Sequence, residues 1–235
     1  MKNLSKILVC VFWALPFWSS AQGTVDELYK ELDYVVAKPT LENLQRLASF
    51  ADNFGSAAKS SDQQLALVIV RSNLGYYFEK NGVLSKSVEN YEDAYHRFKS
   101  NQLSDYNIYE NAVLPLAAIY IRHGDYLKAE ELLIQCASHA KSTANSSLLF
   151  NTVLSLSALY NSTSRYERSY LLINETLKMK GIPKGTAAAL KNNLATSYFR
   201  VGDFEKAKQL LSEIKVITGV DLVNTYKSLA FIALK

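Results

Sequence analysis

The residue types that most often carry catalysis or bind metals are present in this 235-residue chain, but they are scattered along it. The histidines are His96, His123 and His139. No two of them have the i, i+4 spacing that puts a zinc-binding pair on one helical face. The tetrad Ser-x-x-Lys, which can set a serine nucleophile beside a lysine, begins at Ser56 and at Ser138 without the companion motifs that would make it specific. These residues predict no catalytic site and no metal site.

Two further candidates have simpler structural explanations. The segment 181–186 lacks the Gly-Lys-Ser/Thr order of a phosphate-binding loop and follows no predicted strand, so we interpret it as a loop between helices. Cys10 belongs to the leader described below, which leaves Cys136 without an intramolecular partner for a disulfide bond. The position of Cys136 in the repeat predicts a buried packing residue and not a reactive thiol. We therefore expect no enzyme activity and no cofactor.

The first 21 residues have the features of a cleavable signal peptide. Lys2 and Lys6 precede an apolar run over residues 7–18, and residues 19–21 supply small side chains for cleavage. The run is too short to cross a bilayer as a helix, which takes about 20 residues. The sequence thus predicts export to the periplasm or the medium, with no membrane span after cleavage.

The charge argues against nucleic acid as the main partner. The chain carries 26 basic and 22 acidic residues, a formal charge of +4, and loss of Lys2 and Lys6 leaves 24 basic residues and a charge of +2. Both signs are mixed along the sequence, whereas nucleic-acid binding uses clustered Lys and Arg.

A pattern of large and small residues occurs four times. The copies start at Leu74, Leu116, Leu156 and Leu194, which are 42, 40 and 38 residues apart. Counted from each leucine, a small residue stands at +1, an aromatic at +4, a turn residue at +8, large residues at +10 and +17 and a small one at +13. The positions before the turn share one face of a helix, and those after it share one face of a second helix. The sequence therefore predicts four helical hairpins whose small residues let the paired helices approach closely.

The turn residues support this interpretation. Glycine, present in three of the four copies, suits the left-handed position that ends a helix. Asp125 and Asp203, which follow two of these glycines, are good N-caps for the next helix.

This pattern resembles the tetratricopeptide repeat (TPR), a helix-turn-helix unit that stacks into a solenoid. The resemblance implies an all-α fold, a right-handed α-solenoid of about four TPR-like hairpins over residues 61–235, including a lone C-terminal helix, preceded by a capping helix pair over 22–60. The spacing exceeds the usual 34 residues, which predicts longer helices or links. The early Trp of the family is also missing. Its places are taken by Arg71, Val113, Val153 and Lys191.

Local signals predict where the first helices begin and end. One helix should run over residues 24–37, stopped by Pro39, and a second over 40–55. Ser61 with Gln64 predicts a capping box for the helix that follows.

Pro115 falls inside a predicted helix. It has no N–H to donate and its ring clashes with the carbonyl of Asn111, so we expect a bend there.

Residues 221–235 predict a last helix with a strongly apolar end. It fits a capping helix, a surface for self-association, or a junction to further chain. Exported TPR arrays of this spacing are similar to those that precede caspase-like CHAT proteases or histidine kinases in bacteria. The alternative function is therefore the N-terminal segment of a larger exported enzyme or sensor.

In the TPR family the first helix of each unit lines a concave groove that holds peptides or partner helices. The resemblance transfers this role to residues of all four units. They are Ser72, Tyr76, Glu79, Asn111, Leu114, Ala118, Asn151, Leu154, Ala158, Asn161, Asn192, Thr196 and Phe199. The recurring Asn side chains can both donate to and accept from a peptide backbone. We expect a non-catalytic scaffold that binds a protein or peptide; the competing interpretation of these residues is a solvated polar face.

Overall fold

The computed structural model describes residues 23–218, with side chains over 23–214. This part of the chain contains ten α-helices and one π-helical turn, and no strand. The all-α prediction is confirmed. The predicted signal peptide (1–21) and C-terminal helix (221–235) lie outside the described residues.

Two N-terminal helices, α1 (Val25–Ala37) and α2 (Leu41–Gly55), begin where their caps predict. Thr24 accepts the N–H of Glu27, and the Glu27 carboxylate accepts the N–H of Thr24 at 2.7 Å, which completes a capping box. Thr40 caps α2 through a single hydrogen bond. The apolar faces of α1 and α2 share one core cluster with the helix that follows, so the pair continues the stack.

Each predicted repeat forms one helical hairpin. The helices are α3 (Ser61–Lys80), α4 (Leu84–Ser100), α5 (Leu114–His123), α6 (Tyr126–Ser142), α7 (Ser146–Ser162), α8 (Tyr166–Leu177), α9 (Lys184–Arg200) and α10 (Phe204–Thr218). We call α3/α4, α5/α6, α7/α8 and α9/α10 units 1 to 4. Most of these helices have 15 to 20 residues, whereas an average helix has about 11–12. Long helices therefore account for much of the wide repeat spacing.

The small residues of the repeat are buried as predicted. Ala129, Ser169 and Ala207, all at +13, are 0%, 0% and 2% exposed. Each lies where the second helix of its unit faces the first, so successive helices can approach closely. The description of the chain as nested helical hairpins is confirmed.

The turn inside each unit has the same geometry. Gly82, Gly124 and Gly202 adopt φ of 76°, 80° and 85°, and Ser164 takes the equivalent left-handed conformation at 58°. In every case the next N–H donates to a carbonyl five residues back, as in the bond of 2.9 Å from Asp125 to Tyr120. This is the Schellman arrangement that ends a helix.

Two local predictions need correction. The capping box of α3 is formed by Ser60 and Gln63, not Ser61 and Gln64, because the two overlapping Ser-x-x-Gln patterns differ only in which serine precedes the helix. Asp125 occupies the cap position of α6 but makes no side-chain cap bond. Its carboxylate lies 3.4 Å from Lys128 instead. Asp203 does cap, accepting the N–H of Lys206 at 3.2 Å.

The disturbance expected at Pro115 takes the form of a π-helical turn, Tyr109–Val113, just before α5. The N–H of Leu114 donates to the carbonyl of Tyr109, five residues back. Such a turn widens the helix where the proline cannot donate, and π turns are frequent at functional sites.

A buried ionic network stands where the TPR pattern has its early Trp. Arg71 of α3 is 6% exposed. Its guanidinium lies 2.9 Å from Asp93 and 3.1 Å from Asn90 of α4, and it also pairs with Asp52 of α2. The Asp93 side chain is 31% exposed and that of Asp52 is 68% exposed, so the better shielded pair lies within unit 1 and the pair with Asp52 links α3 to α2 at the surface.

Candidate functional site

Successive first helices lie next to one another along the stack. The π-helical turn contacts α3, α5 contacts α7, and α7 packs against α9. We call the solvent-facing side chains of these helices the first-helix surface. It contains most of the predicted groove residues, but its two ends are built differently.

At the unit 1 end, the predicted residues of α3 have three different environments. Tyr76 is 46% exposed. Glu79 is half-buried and accepts from Arg122 of α5 at 2.5 Å. Ser72 is buried, and its hydroxyl donates to the carbonyl of Val68. The hydroxyl of Ser72 is therefore engaged within its own helix, and a role of Ser72 in binding stays a prediction.

A cavity of about 500 Å³ opens between α3 and the π-helical turn. Its lining is tyrosine-rich and polar, and we call it the tyrosine cavity. The lining residues are Ser72, Asn73, Tyr76, Tyr91, Tyr106, Glu110, Asn111 and Pro115. Three of these, Ser72, Tyr76 and Asn111, are predicted groove residues.

Tyr91 reaches the cavity from the second helix of unit 1 by passing beneath Gly75. A Cβ built on Gly75 would lie 2.6 Å from the Tyr91 ring, which is closer than real side chains come. At the same two repeat positions, +1 and +17, unit 2 has Ala117 and Leu133 and unit 4 has Ala195 and Leu211. In these units the first residue is larger than glycine and the second is smaller than tyrosine. In unit 1 the side chain on α3 is therefore smaller and the one on α4 larger by a similar volume, which keeps the contact filled. The larger side chain, Tyr91, brings its phenol group to the cavity.

The Tyr91 hydroxyl is buried and has no hydrogen-bond partner among the described residues. Burial raises the pKa of Tyr91 well above its usual value, and the nearby Glu79 adds to the rise. A buried polar group without a partner costs about 1–3 kcal/mol. Tyr106 also has a raised pKa from burial, which hydrogen bonding to Ser72 and Asn111 opposes. The cavity thus gathers polar groups that are shielded from bulk water.

At the unit 3 to unit 4 end, amide side chains join the helices. Asn193 donates to the Leu154 carbonyl at 3.2 Å and to the Ser157 hydroxyl at 2.7 Å. Asn161 donates to the Asn193 carbonyl and accepts from Ser197 at 2.5 Å. Asn161, a predicted groove residue, therefore has its amide engaged in joining α7 to α9.

The remaining predicted residues keep part of their surface accessible. Asn111 and Asn151 are exposed. The others are half-buried, namely Leu114, Ala118, Leu154, Ala158, Asn192, Thr196 and Phe199. Thr196 donates to the Asn192 carbonyl at 3.0 Å, and the Phe199 ring meets Phe204 edge-on.

Sequence reasoning missed Tyr91, Tyr106 and Glu110 as cavity residues. Tyr91 stands at +17, where the other units have Leu or Ile, so its hydroxyl is a signal that this position differs from ordinary core. Tyr106 comes from the link between units, and Glu110 from the π-helical turn. No periodic pattern in the sequence points to either.

Other chemistry is sparse in the described part of the chain. Residues 23–218 contain no group of three or more His, Cys, Asp or Glu side chains that could hold a metal ion. Cys136 is buried as predicted, and burial raises the pKa of its thiol to about 12. None of the described helices is both long and apolar enough to cross a membrane.

Solved structures with TPR-like repeats share this fold. BtubC (BKLC) from P. vanneervenii matches with a TM-score of 0.63 and 16% identity, covering 83% of this chain and 88% of that one. The nearly identical TPR-like repeats of a kinesin-light-chain-like protein from P. anserina match with a TM-score of 0.64 and 16% identity, over 83% of this chain and 96% of theirs. A single-substitution variant of the same protein gives 0.65 and 16%, over 86% and 98%. Neither a protein-family model nor a curated protein sequence matches this chain. The TPR-like solenoid fold is therefore established.

Proposed function

We propose that this protein is a non-catalytic scaffold that binds a segment of another protein along its first-helix surface. The tyrosine cavity carries the proposal, because it opens on that surface and holds polar groups with unused hydrogen-bonding capacity. A binding site of this kind combines aromatic walls with a few placed polar groups.

The chemistry of the surface favours a peptide partner. Asn111 and Asn151 are exposed on adjacent first helices, and each amide can donate to and accept from an extended backbone. Tyr76 offers a large ring of the type enriched at binding hot spots. Formal charges are nearly balanced over the chain, which disfavours a nucleic-acid partner.

Affinity capture of partners from source-cell extract by the full chain tests the proposal. The double variant Tyr76→Ala with Asn111→Ala removes two exposed contacts from the first-helix surface. We expect it to lose most of the captured partner, because exposed hot-spot side chains cost about 2 kcal/mol or more each when truncated.

The matched control is Leu127→Ala with Ile134→Ala on α6. These side chains are 84% and 54% exposed but belong to a second helix. Capture that survives the first-helix double variant but is lost in this control would move the binding surface to the second helices and refute the proposal.

We further propose that the chain works after export. The support is the basic and apolar pattern of residues 1–21, which has the order of a signal peptide. Sequencing the N-terminus of the protein recovered from the periplasm or medium should find Gln22 first. A retained Met1 in protein isolated from the cytoplasm would overturn export.

A further inference from the structure

We infer that the tyrosine cavity receives the side chain of an arginine from the bound segment. The inference rests on the proposed function, which it deepens by naming the chemistry of one contact. It follows from the charge of the cavity, its aromatic walls, and its surplus of hydrogen-bond acceptors.

The cavity is lined by one negative charge that forms no ion pair with the described residues. Glu110 is the single lining residue that is charged at neutral pH. It forms no ion pair with any described residue. One carboxylate oxygen, Oε1, accepts from Asn145 at 2.8 Å. The second oxygen can therefore accept from a cation that enters the cavity, in the strong charge-assisted geometry of Arg with a carboxylate.

Aromatic rings form much of the remaining lining. Tyr76, Tyr91 and Tyr106 come from a first helix, a second helix and an inter-unit link, and all three line the cavity. The face of a tyrosine ring attracts a cation, and the attraction grows as the pair is desolvated. A planar guanidinium also stacks on such rings and is less strongly hydrated than an ammonium, which favours arginine over lysine.

The lining offers more acceptors than donors. The Nδ2 of Asn73 donates one N–H to the Ile69 carbonyl at 2.8 Å, which leaves its second N–H and the two lone pairs of the amide oxygen. The Tyr91 hydroxyl is buried without a described partner. A guanidinium carries five N–H donors in a fixed fork and no acceptor. It matches this set better than a carboxylate or an apolar side chain would.

Two cations of the chain already lie close by, and both must be weighed. Arg122 approaches the Tyr91 hydroxyl, but it is paired with Glu79 at 2.5 Å, so the two charges offset each other. Lys80 lies 5.4 Å from the centre of the Tyr76 ring. The position of Lys80 shows that the ring attracts a cation, and its charge should weaken the binding of another one.

The test is a titration of the full chain with the peptide acetyl-Ala-Ala-Arg-Ala-Ala-amide, followed by the NMR shifts of ¹³C-labelled tyrosine rings. Peptides with norleucine, lysine or glutamate in place of the arginine serve as comparisons. We expect the arginine peptide to bind about tenfold more tightly than norleucine, since a charge-assisted contact contributes about 1.5–3 kcal/mol and about 1.4 kcal/mol is a factor of ten. It should also bind better than lysine, and glutamate should not bind.

Some variants should weaken binding of the arginine peptide and one should strengthen it. Glu110→Gln should weaken arginine-peptide binding about tenfold, and Lys80→Gln should strengthen it a few-fold. Tyr91→Phe keeps the ring and should weaken binding several-fold through loss of the hydroxyl acceptor. The matched control Glu167→Gln removes an exposed carboxylate of α8 and should change nothing.

Equal binding of the arginine and norleucine peptides would overturn the inference. So would equal binding of lysine, or equal affinities for Glu110→Gln and Glu167→Gln. If the partner is still captured through Tyr76 and Asn111 while the arginine preference is missing, this inference fails and the proposed function stands. If capture is insensitive to the first-helix double variant, the proposed function itself fails.

Discussion

The two ends of the first-helix surface use similar polar side chains for different purposes. Between units 3 and 4, Asn161 and Asn193 form hydrogen bonds that join α7 directly to α9. Between units 1 and 2, Asn73 and Asn111 line an open cavity together with three tyrosines. At the first end the amide hydrogen bonds hold α7 against α9. At the second end polar side chains face an open cavity, where a ligand can reach them.

This difference shows that residue type on a repeat face does not decide whether the residue stabilises or binds. The deciding feature is how close the next first helix lies. In unit 2 the π-helical turn and Pro115 replace a regular first turn of helix, and the cavity opens beside them. Where the helices stay regular, at α7 and α9, the amide side chains form hydrogen bonds with the neighbouring first helix.

The largest effect should come from filling the space that unit 1 leaves for Tyr91. Gly75→Ala places a Cβ within 2.6 Å of the ring, and overpacking of this kind costs about 1–3 kcal/mol. Urea unfolding should show this loss in the free energy of unfolding. Adding Tyr91→Leu restores the Ala and Leu pair found in units 2 and 4. The double variant should therefore lose less free energy of unfolding than the losses of the two single variants added together. Strict additivity would contradict the volume exchange between these residues.

The closed end should be more sensitive to loss of an amide than the open end. Asn193→Ala removes two hydrogen bonds at the α7–α9 contact, one to the Leu154 carbonyl and one to the Ser157 hydroxyl, which we expect to cost about 1–3 kcal/mol. Asn111→Ala, at an exposed position of the open end, removes a hydrogen bond to Tyr106 and should cost only about 0.5 kcal/mol. Equal losses in thermal or urea unfolding would remove the distinction between the ends.

Hydroxyl removal should have opposite signs at the two ends. Tyr91→Phe deletes a buried hydroxyl that has no described partner, so we expect it to be neutral or to stabilise by about 1 kcal/mol. Ser197→Ala deletes a hydroxyl that contacts Asn161, Ser169 and the Asn193 carbonyl, and should destabilise by about 1 kcal/mol. Matched denaturant curves check both, and a destabilising Tyr91→Phe would mean that this hydroxyl is satisfied after all.

The smallest effect concerns the turns, whose geometry is the same at both ends. Ser164 adopts the left-handed conformation at φ 58°, so Ser164→Gly should stabilise by a few tenths to about 1 kcal/mol. Gly82 has φ 76° and open space around it, so Gly82→Ala should destabilise the protein by a similar amount through backbone strain alone. The melting temperature should shift in opposite directions for the two variants. Shifts of the same sign would show that the turns are not equivalent.

Helix positions and the buried face of each unit could be predicted from the sequence, because period and residue size determine which side chains meet. Ala129, Ser169 and Ala207 are buried for that reason. Features that depend on the exact residue at which a helix begins were harder to predict. Ser60 and Ser61 both fit a capping box, and only the position at which α3 starts distinguishes them.

The candidate site was predictable only in part. Of the predicted groove residues, Tyr76 and Asn111 are exposed, whereas the polar groups of Ser72 and Asn161 bond within the stack. Whether an amide meets another helix depends on the distance between units, which no single repeat encodes. The cavity itself arises from a π-helical turn and from a tyrosine that crosses between helices, and both are tertiary features.

Site-directed photocrosslinking tests the central claim most directly. A benzoylphenylalanine is placed in turn at position 76 on the open end of the first-helix surface, at 151 on α7, and at 127 on the second helix α6. All three native residues are exposed, so each probe can reach a partner. The account predicts that position 76 gives the highest crosslink yield to a protein partner, with less at 151 and none at 127. A yield at 127 that equals or exceeds that at 76 would contradict it.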